Sequence, residues 1–94
     1  MLINVQITML KTDEGGRRSS VSSGYRPMFS MGNTTSHCSL ELSREGDCIK
    51  PGEDKKAKLF ILRPELFSNL NPSAEFKLKE GERVVGFGII LNEE

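Results

Sequence analysis

The amino-acid sequence predicts an all-β fold, built as a small barrel or a sandwich. Six short segments alternate apolar and polar residues at the period of two that is typical of strands, and no amphipathic helix lies between them. The last segment carries Gly86 and Gly88 on one face. Neighbouring same-face positions without a side chain predict a sharp bend or the close approach of another backbone. Bends of this kind let a sheet curl into a barrel.

The first half of the chain contains three predicted strands. They cover residues 3–9, 25–31 and 37–43. Pro27 has no N–H to donate to a neighbouring strand, so it predicts a strand edge or a strand start. The stretch 11–23 is polar and has no period, which predicts a long loop, and residues 33–36 predict a turn.

The second half supplies the other three strands. They cover residues 55–62 and the two arms of a hairpin over residues 76–91. Pro51-Gly52 suits the central positions of a type II turn, because proline presets the first φ and glycine permits a positive second one. The loop 64–72 has room for one helical turn. At the hairpin, Glu80-Gly81 is the predicted turn, since Gly81 takes positive φ at little cost.

Length and composition predict one domain over residues 1–94. Two alternatives remain open, a complete short protein and an excised domain, and the Met at position 1 favours the first. Hydrophobic residues make up 36% of the chain and charged residues 28%, as in soluble globular proteins. No apolar run approaches the length of a membrane span, and the opening segment lacks the basic start of a signal peptide. These features predict a cytoplasmic protein with no membrane partner.

Charge and cysteine content limit the possible ligands. Thirteen basic residues balance thirteen acidic ones, whereas a protein that grips nucleic acid on its own usually has a basic surplus. His37, Cys38 and Cys48 are one ligand short of a structural zinc site, so we expect no metal and two reduced thiols. No cofactor is expected.

The sequence contains no pattern that predicts catalysis. Gly15-Gly16 is not followed by the Lys-Ser or Lys-Thr of a phosphate-binding loop, so neither nucleotide binding nor its hydrolysis is expected. His37 and Cys38 are neighbours on a predicted strand and therefore point to opposite faces, which prevents them from forming a catalytic dyad. We expect His37 to face solvent, and we expect no enzyme activity.

Four motifs in order resemble the third, C-terminal domain of bacterial elongation factor Tu. They are Gly15-Gly16-Arg17, Gly24-Tyr25-Arg26-Pro27, Pro51-Gly52 and the terminal hairpin. The resemblance runs from about Ile3 to Leu91. It implies a six-stranded antiparallel closed barrel of the Greek-key type, standing alone without the GTPase domain.

The resemblance also implies binding positions. In elongation factor Tu this domain has no catalytic residues; it packs on the GTPase domain, meets the exchange factor and touches the T-arm of aminoacyl-tRNA. The positions that match the RNA-contacting ones are Arg17, Arg63, Glu80 and Gly81. Positions that depart from the family pattern are Met28, Gly32, His37 and Glu82.

Two functions follow from this resemblance. The first is a non-catalytic, translation-associated binding module that contacts aminoacyl-tRNA or a translation factor. The alternative is a protein-interaction domain without RNA binding, such as an elongation-factor mimic, a regulator or an immunity protein. The zero net charge and the departures at Met28, Gly32 and Glu82 favour the alternative.

Overall fold

Six β-strands close into one antiparallel barrel in the computed structural model of the chain, which describes residues 1–93. The strands are β1 (Leu2–Met9), β2 (Met28–Met31), β3 (Thr34–Glu41), β4 (Asp54–Ile61), β5 (Glu75–Glu80) and β6 (Arg83–Glu93). Their order around the barrel is β1-β4-β3-β2-β5-β6. Because β4 returns beside β1 after the run from β2 to β4, the topology is a Greek key. The closed six-stranded barrel confirms the predicted fold.

Short 3₁₀ turns are the only helical elements among the described residues. They lie at Thr12–Glu14 and at Pro64–Leu66, and the second confirms the helical turn predicted in the loop 64–72. No helix in this part of the chain has the length and apolar character needed to cross a bilayer.

The barrel interior is filled by the apolar residues of alternating strand positions. β1 buries every second side chain, and β4 does the same with Ala57, Leu59 and Ile61. Val21 and Ile49 are joined by backbone hydrogen bonds of 3.0 and 2.8 Å and are also buried. Full burial of each large aliphatic side chain contributes about 1.5–3 kcal/mol, so this interior is the main source of stability.

Gly88 pairs with Ile7 at a point where the backbone of β1 lies close to β6. A Cβ at this position would lie 2.3 Å from the Gln6 carbonyl oxygen and 2.6 Å from Cζ of the Phe76 ring. No side chain fits there without separating the two strands. The prediction that another backbone comes close to this glycine is confirmed.

A bulge in β6 changes which of its side chains face inward. Val84 and Gly86 pair with consecutive residues of β5, so Val85 is an extra residue in the ladder. Val85 is buried, yet Phe87 and Ile89 are exposed although the period of two places all three on one face. The period of two does not hold across Val85, because the bulge shifts the alternation by one residue.

Three predicted boundaries also differ from the structure. β2 begins at Met28, because Pro27 cannot donate a ladder hydrogen bond, although its carbonyl still accepts one from Cys38 N at 3.3 Å. β3 begins at Thr34 because the hairpin turn is the two-residue Gly32-Asn33, with Gly32 at φ 60°. The terminal hairpin turns at Gly81-Glu82, so Glu80 belongs to β5.

The predicted long loop 11–23 and the proline-glycine turn are both ordered. Gly16 is buried, and its N–H donates to the Lys11 carbonyl at 3.0 Å, which folds the start of the loop back on itself. Gly52 has φ 86°, and Glu53 N donates to the Lys50 carbonyl at 2.9 Å. This is the geometry of the predicted type II turn.

Candidate functional site

A polar network joins the long loop to the tip of the terminal hairpin. Oε2 of Glu80 accepts a hydrogen bond from the Tyr25 hydroxyl at 2.6 Å and another from Nη1 of Arg17. Nη2 of Arg83 lies 3.5 Å from the other carboxylate oxygen. The structure thus brings together Arg17 and Glu80, two of the four predicted site residues, as partners of each other.

The guanidinium of Arg17 is held on several sides. Its Cζ lies 5.1 Å from the centroid of the Tyr25 ring, within the range of a cation–π contact. Nη2 also donates to Oγ of Ser19 at 3.2 Å, while the buried Nε has no hydrogen-bond partner among the described residues. Because the side chain is only 25% exposed and is paired with a carboxylate, its charge is largely neutralised where it stands.

The titration behaviour of the network follows from the same contacts. Burial alone would raise the pKa of Glu80, but the hydrogen bonds from Tyr25 and Arg17 outweigh burial, and the net pKa lies below the usual value. Burial raises the pKa of Tyr25, and the hydrogen bond to Glu80 raises it further. The carboxylate therefore stays charged and the phenol stays protonated at neutral pH.

Arg63 stands apart from this network. It lies two residues beyond the end of β4, its backbone N–H donates to Oγ of Ser36 at 3.0 Å, and its Nε donates to Oε2 of Glu65. Its side chain is 58% exposed. No hydrogen bond or ion pair within residues 1–93 joins it to Arg17 or Glu80. Each of the two predicted arginines therefore has a carboxylate partner of its own.

Between the hairpin tip and Arg63 runs a row of outward-facing residues that we call the β2–β4 face. Its members are Met28, His37, Ser39, Phe60 and Leu62. Met28 pairs with Lys79 of β5 on one side and with His37 on the other. Ser39 pairs with Phe60, and Leu62 N donates to the His37 carbonyl at 3.0 Å. His37 is exposed, as predicted.

The apolar part of this face is open to solvent. Phe60 is 44% exposed and Leu62 is 56% exposed. Both border a groove of about 210 Å³, whose other lining residues are Arg26, His37, Cys38 and Ser39. Leu2 of β1, the cross-strand partner of Phe60, extends the apolar surface on the far side.

The sequence indicates exposed apolar residues at this groove but does not indicate their function. Lys56, Lys58 and Phe60 occupy the outward side of β4, and Leu62 follows just after the strand. Phe60 and Leu62 are apolar where a solvated strand face is normally polar. The role of Tyr25 had no such signal. Its contact with Glu80 spans 55 positions and depends on the barrel closing.

Thiols and acidic groups form no metal centre in the described residues. Cys38 and Cys48 are free, and no three His, Cys, Asp or Glu side chains lie close enough to hold an ion. Burial raises the pKa of the Cys38 thiol to about 12, and its Sγ donates to the Pro27 carbonyl at 3.3 Å. This cysteine is a buried apolar residue beneath the groove.

The closed Greek-key barrel and its Gly-Gly-Arg loop, tied to the hairpin tip through Tyr25 and Glu80, define a small β-barrel domain of the translation-factor type. A family model described as the elongation factor Tu C-terminal domain matches residues 2–93. The chain belongs to that family. The C-terminal domain of elongation factor Tu is non-catalytic.

Proposed function

We propose that this barrel is a non-catalytic binding module of the translation apparatus and that its partner is a protein. One observation carries the choice of partner. The two arginines at the RNA-matched positions are each neutralised by a carboxylate, Arg17 by Glu80 and Arg63 by Glu65, while the face between them exposes Phe60 and Leu62. Exposed aromatic and aliphatic groups with an arginine beside them and no Lys, Asp or Glu in the groove that they line are typical of protein interfaces.

Electrostatics argue in the same direction. Affinity for RNA comes mainly from cations that displace counterions from phosphates. To reach a phosphate, Arg17 has to leave a carboxylate and an aromatic ring that it contacts in the free barrel. The zero net charge of the chain supplies no general attraction to compensate for that loss.

A second function, direct contact with aminoacyl-tRNA, is supported by a different set of residues. Arg18 and Arg26 are exposed, and no carboxylate of residues 1–93 pairs with them. Lys79 lies on the outer surface beside Met28. Contacts from these few cations would give a slope of log affinity against log salt of about −2 to −3, which is weak binding at physiological salt.

The remaining elements of the proposal follow from family membership. We infer that the module requires no cofactor and hydrolyses no nucleotide, and that it acts in the cytoplasm, where translation takes place. An elongation-factor mimic, a regulator and an immunity protein all fit a protein-binding barrel of this kind. They differ in the partner, which the next experiment identifies.

The test is affinity capture from an extract of the cells that make this protein, with and without nuclease. We expect a translation protein to be captured equally in both cases. Capture that disappears after nuclease treatment would support the tRNA function and contradict the proposed one. A parallel capture with Arg17→Ala and Arg63→Ala gives the control, since the protein partner should be retained by both variants.

A further inference from the structure

Phe60 near the end of β4 and Leu62 just after it form an apolar pair that interrupts a charged strand face. Lys56 and Lys58 occupy the preceding outward positions of the strand, and the alternation then continues with Phe60 and Leu62. Full burial of a side chain of this size stabilises a protein by about 1.5–3 kcal/mol. Phe60 and Leu62 remain exposed, so they do not give the barrel this stabilisation. Clustered exposure of this kind usually marks an interaction site.

The dimensions of the groove beside this pair favour a polypeptide side chain as its occupant. At about 210 Å³ it is smaller than most small-molecule pockets, which enclose about 300 to 1,000 Å³. Beyond the groove, Leu2 is the cross-strand partner of Phe60 and continues the apolar surface. One anchoring side chain in the groove and further apolar contacts along β4 and β1 account for both features.

The charges around the groove indicate which polypeptide fits. Arg26 and His37 are the charged or titratable side chains in its lining apart from the buried Cys38 thiol, and no Asp or Glu lines it. Arg26 is exposed and has no ion-pair partner within residues 1–93, while Glu65 in the loop after β4 is already paired with Arg63. An exposed arginine beside an aromatic ring is the composition of a binding hot spot, and its unpaired charge calls for a carboxylate.

A second exposed apolar pair allows a comparison within the same barrel. Phe87 and Ile89 face outward on β6, and Phe87 lies beside a cleft lined by Glu75 as well as by Lys77 and Lys79. With charges of both signs, that surface selects neither an acidic nor a basic partner. The groove on β4 has one sign only.

We propose that the groove between Arg26, His37, Phe60 and Leu62 binds an acidic, apolar segment of a partner protein. An apolar side chain of the segment enters the groove, and a neighbouring carboxylate pairs with Arg26. The inference rests on the proposed protein-binding function and specifies the surface and the chemistry of the partner. Single-stranded RNA is the competing ligand, because bases stack on exposed aromatic rings and on guanidinium groups. The zero net charge of the chain argues against RNA, since it supplies no general attraction to phosphates.

The test is a selection of short peptides from a random displayed library against the full chain, with Phe60→Ser, Phe87→Ser and Arg26→Glu in parallel. We expect the wild type and Phe87→Ser to enrich peptides in which Asp or Glu lies near a large apolar residue. Phe60→Ser should lower the affinity for a selected peptide about 30-fold, as expected for the loss of a hot-spot side chain. Arg26→Glu should select basic apolar peptides instead.

Several results would overturn the inference. Enrichment of neutral or basic peptides by the wild type would remove the charge argument, and equal binding by Phe60→Ser would move the site elsewhere. Binding of a fluorescent oligonucleotide that is lost in Phe60→Ser would assign the groove to RNA. If no peptide uses this groove but the nuclease-resistant capture of a translation protein succeeds, the surface assignment fails and the proposed function stands. If both fail, both are wrong.

Discussion

The hairpin tip and the β2–β4 face lie on one barrel, and they use their side chains in opposite ways. At the tip, the charges of Arg17 and Glu80 satisfy each other, with Tyr25 completing the network. On the face, the side chains of Phe60 and Leu62 are exposed. At the hairpin tip the polar groups stabilise the fold, whereas on the β2–β4 face apolar groups are available to another molecule.

This difference shows why matched positions are an incomplete guide to function. Arg17 and Glu80 fall on the positions that the resemblance associates with RNA, but in this chain they contact each other. Phe60 falls on no such position, yet it is one of the most exposed large apolar residues of the barrel. Which residues are free to bind depends on which are already paired, and only the folded structure shows that.

The largest loss of stability is expected from a substitution in the barrel interior, outside both the hairpin tip and the β2–β4 face. Gly88→Val places a side chain against the Gln6 carbonyl and the Phe76 ring, so β1 and β6 must separate. We expect a loss of about 3 kcal/mol in the free energy of unfolding, or failure to fold. Phe87→Thr, one position away and outward, is the control and should cost less than about 1 kcal/mol. Equal losses in urea unfolding would contradict the close-approach geometry.

Glu80→Gln tests the hairpin tip. It removes the charge that faces Arg17, whose side chain is mostly shielded, so we expect a loss of about 1.5 kcal/mol. Glu65→Gln removes the partner of the exposed Arg63 and should cost less than about 0.5 kcal/mol. Denaturant unfolding of the two variants gives the comparison directly. Similar losses would show that the ion pair at the hairpin tip stabilises the barrel no more than the exposed pair of Arg63 and Glu65.

The stability difference between the wild type and Glu80→Gln should also depend on pH. The pKa of Glu80 is depressed in the folded barrel, so its stabilisation is complete above the unfolded value of about 4.3 and is lost as the pH falls through the folded value. The stability difference between wild type and Glu80→Gln should therefore be constant near neutral pH and shrink below about pH 4. A difference that grows on acidification would reverse the assignment of the depressed pKa.

The smallest effect is expected on the β2–β4 face. Phe60→Thr keeps a residue that favours strands and removes an exposed ring, so the free energy of unfolding should change by less than about 0.5 kcal/mol. Its melting temperature should match that of the wild type even though partner binding is lost. A destabilisation as large as that of Glu80→Gln would mean that the ring supports the barrel and is not reserved for a partner.

The strands and the Pro51-Gly52 turn could be predicted because each depends on residues close together in the sequence. The backbone approach at Gly88 could be predicted for another reason: a glycine inside a strand pattern itself indicates that a neighbouring backbone comes close. The bulge at Val85 could not, since it depends on how β5 and β6 pair and not on the alternation within either strand. The pairing of Arg17 with Glu80 spans 63 positions. No local pattern shows that two expected RNA contacts meet each other.

Fluorescence titration of the full chain with aminoacyl-tRNA at low salt tests the central claim most directly. The claim is that Arg17 and Arg63, which are paired with Glu80 and Glu65, do not bind phosphate and that the partner of the barrel is a protein. The prediction is no saturable binding up to tens of micromolar RNA. Salt-dependent binding with a log–log slope of about −2 to −3, abolished by Arg17→Ala or Arg63→Ala, would contradict it.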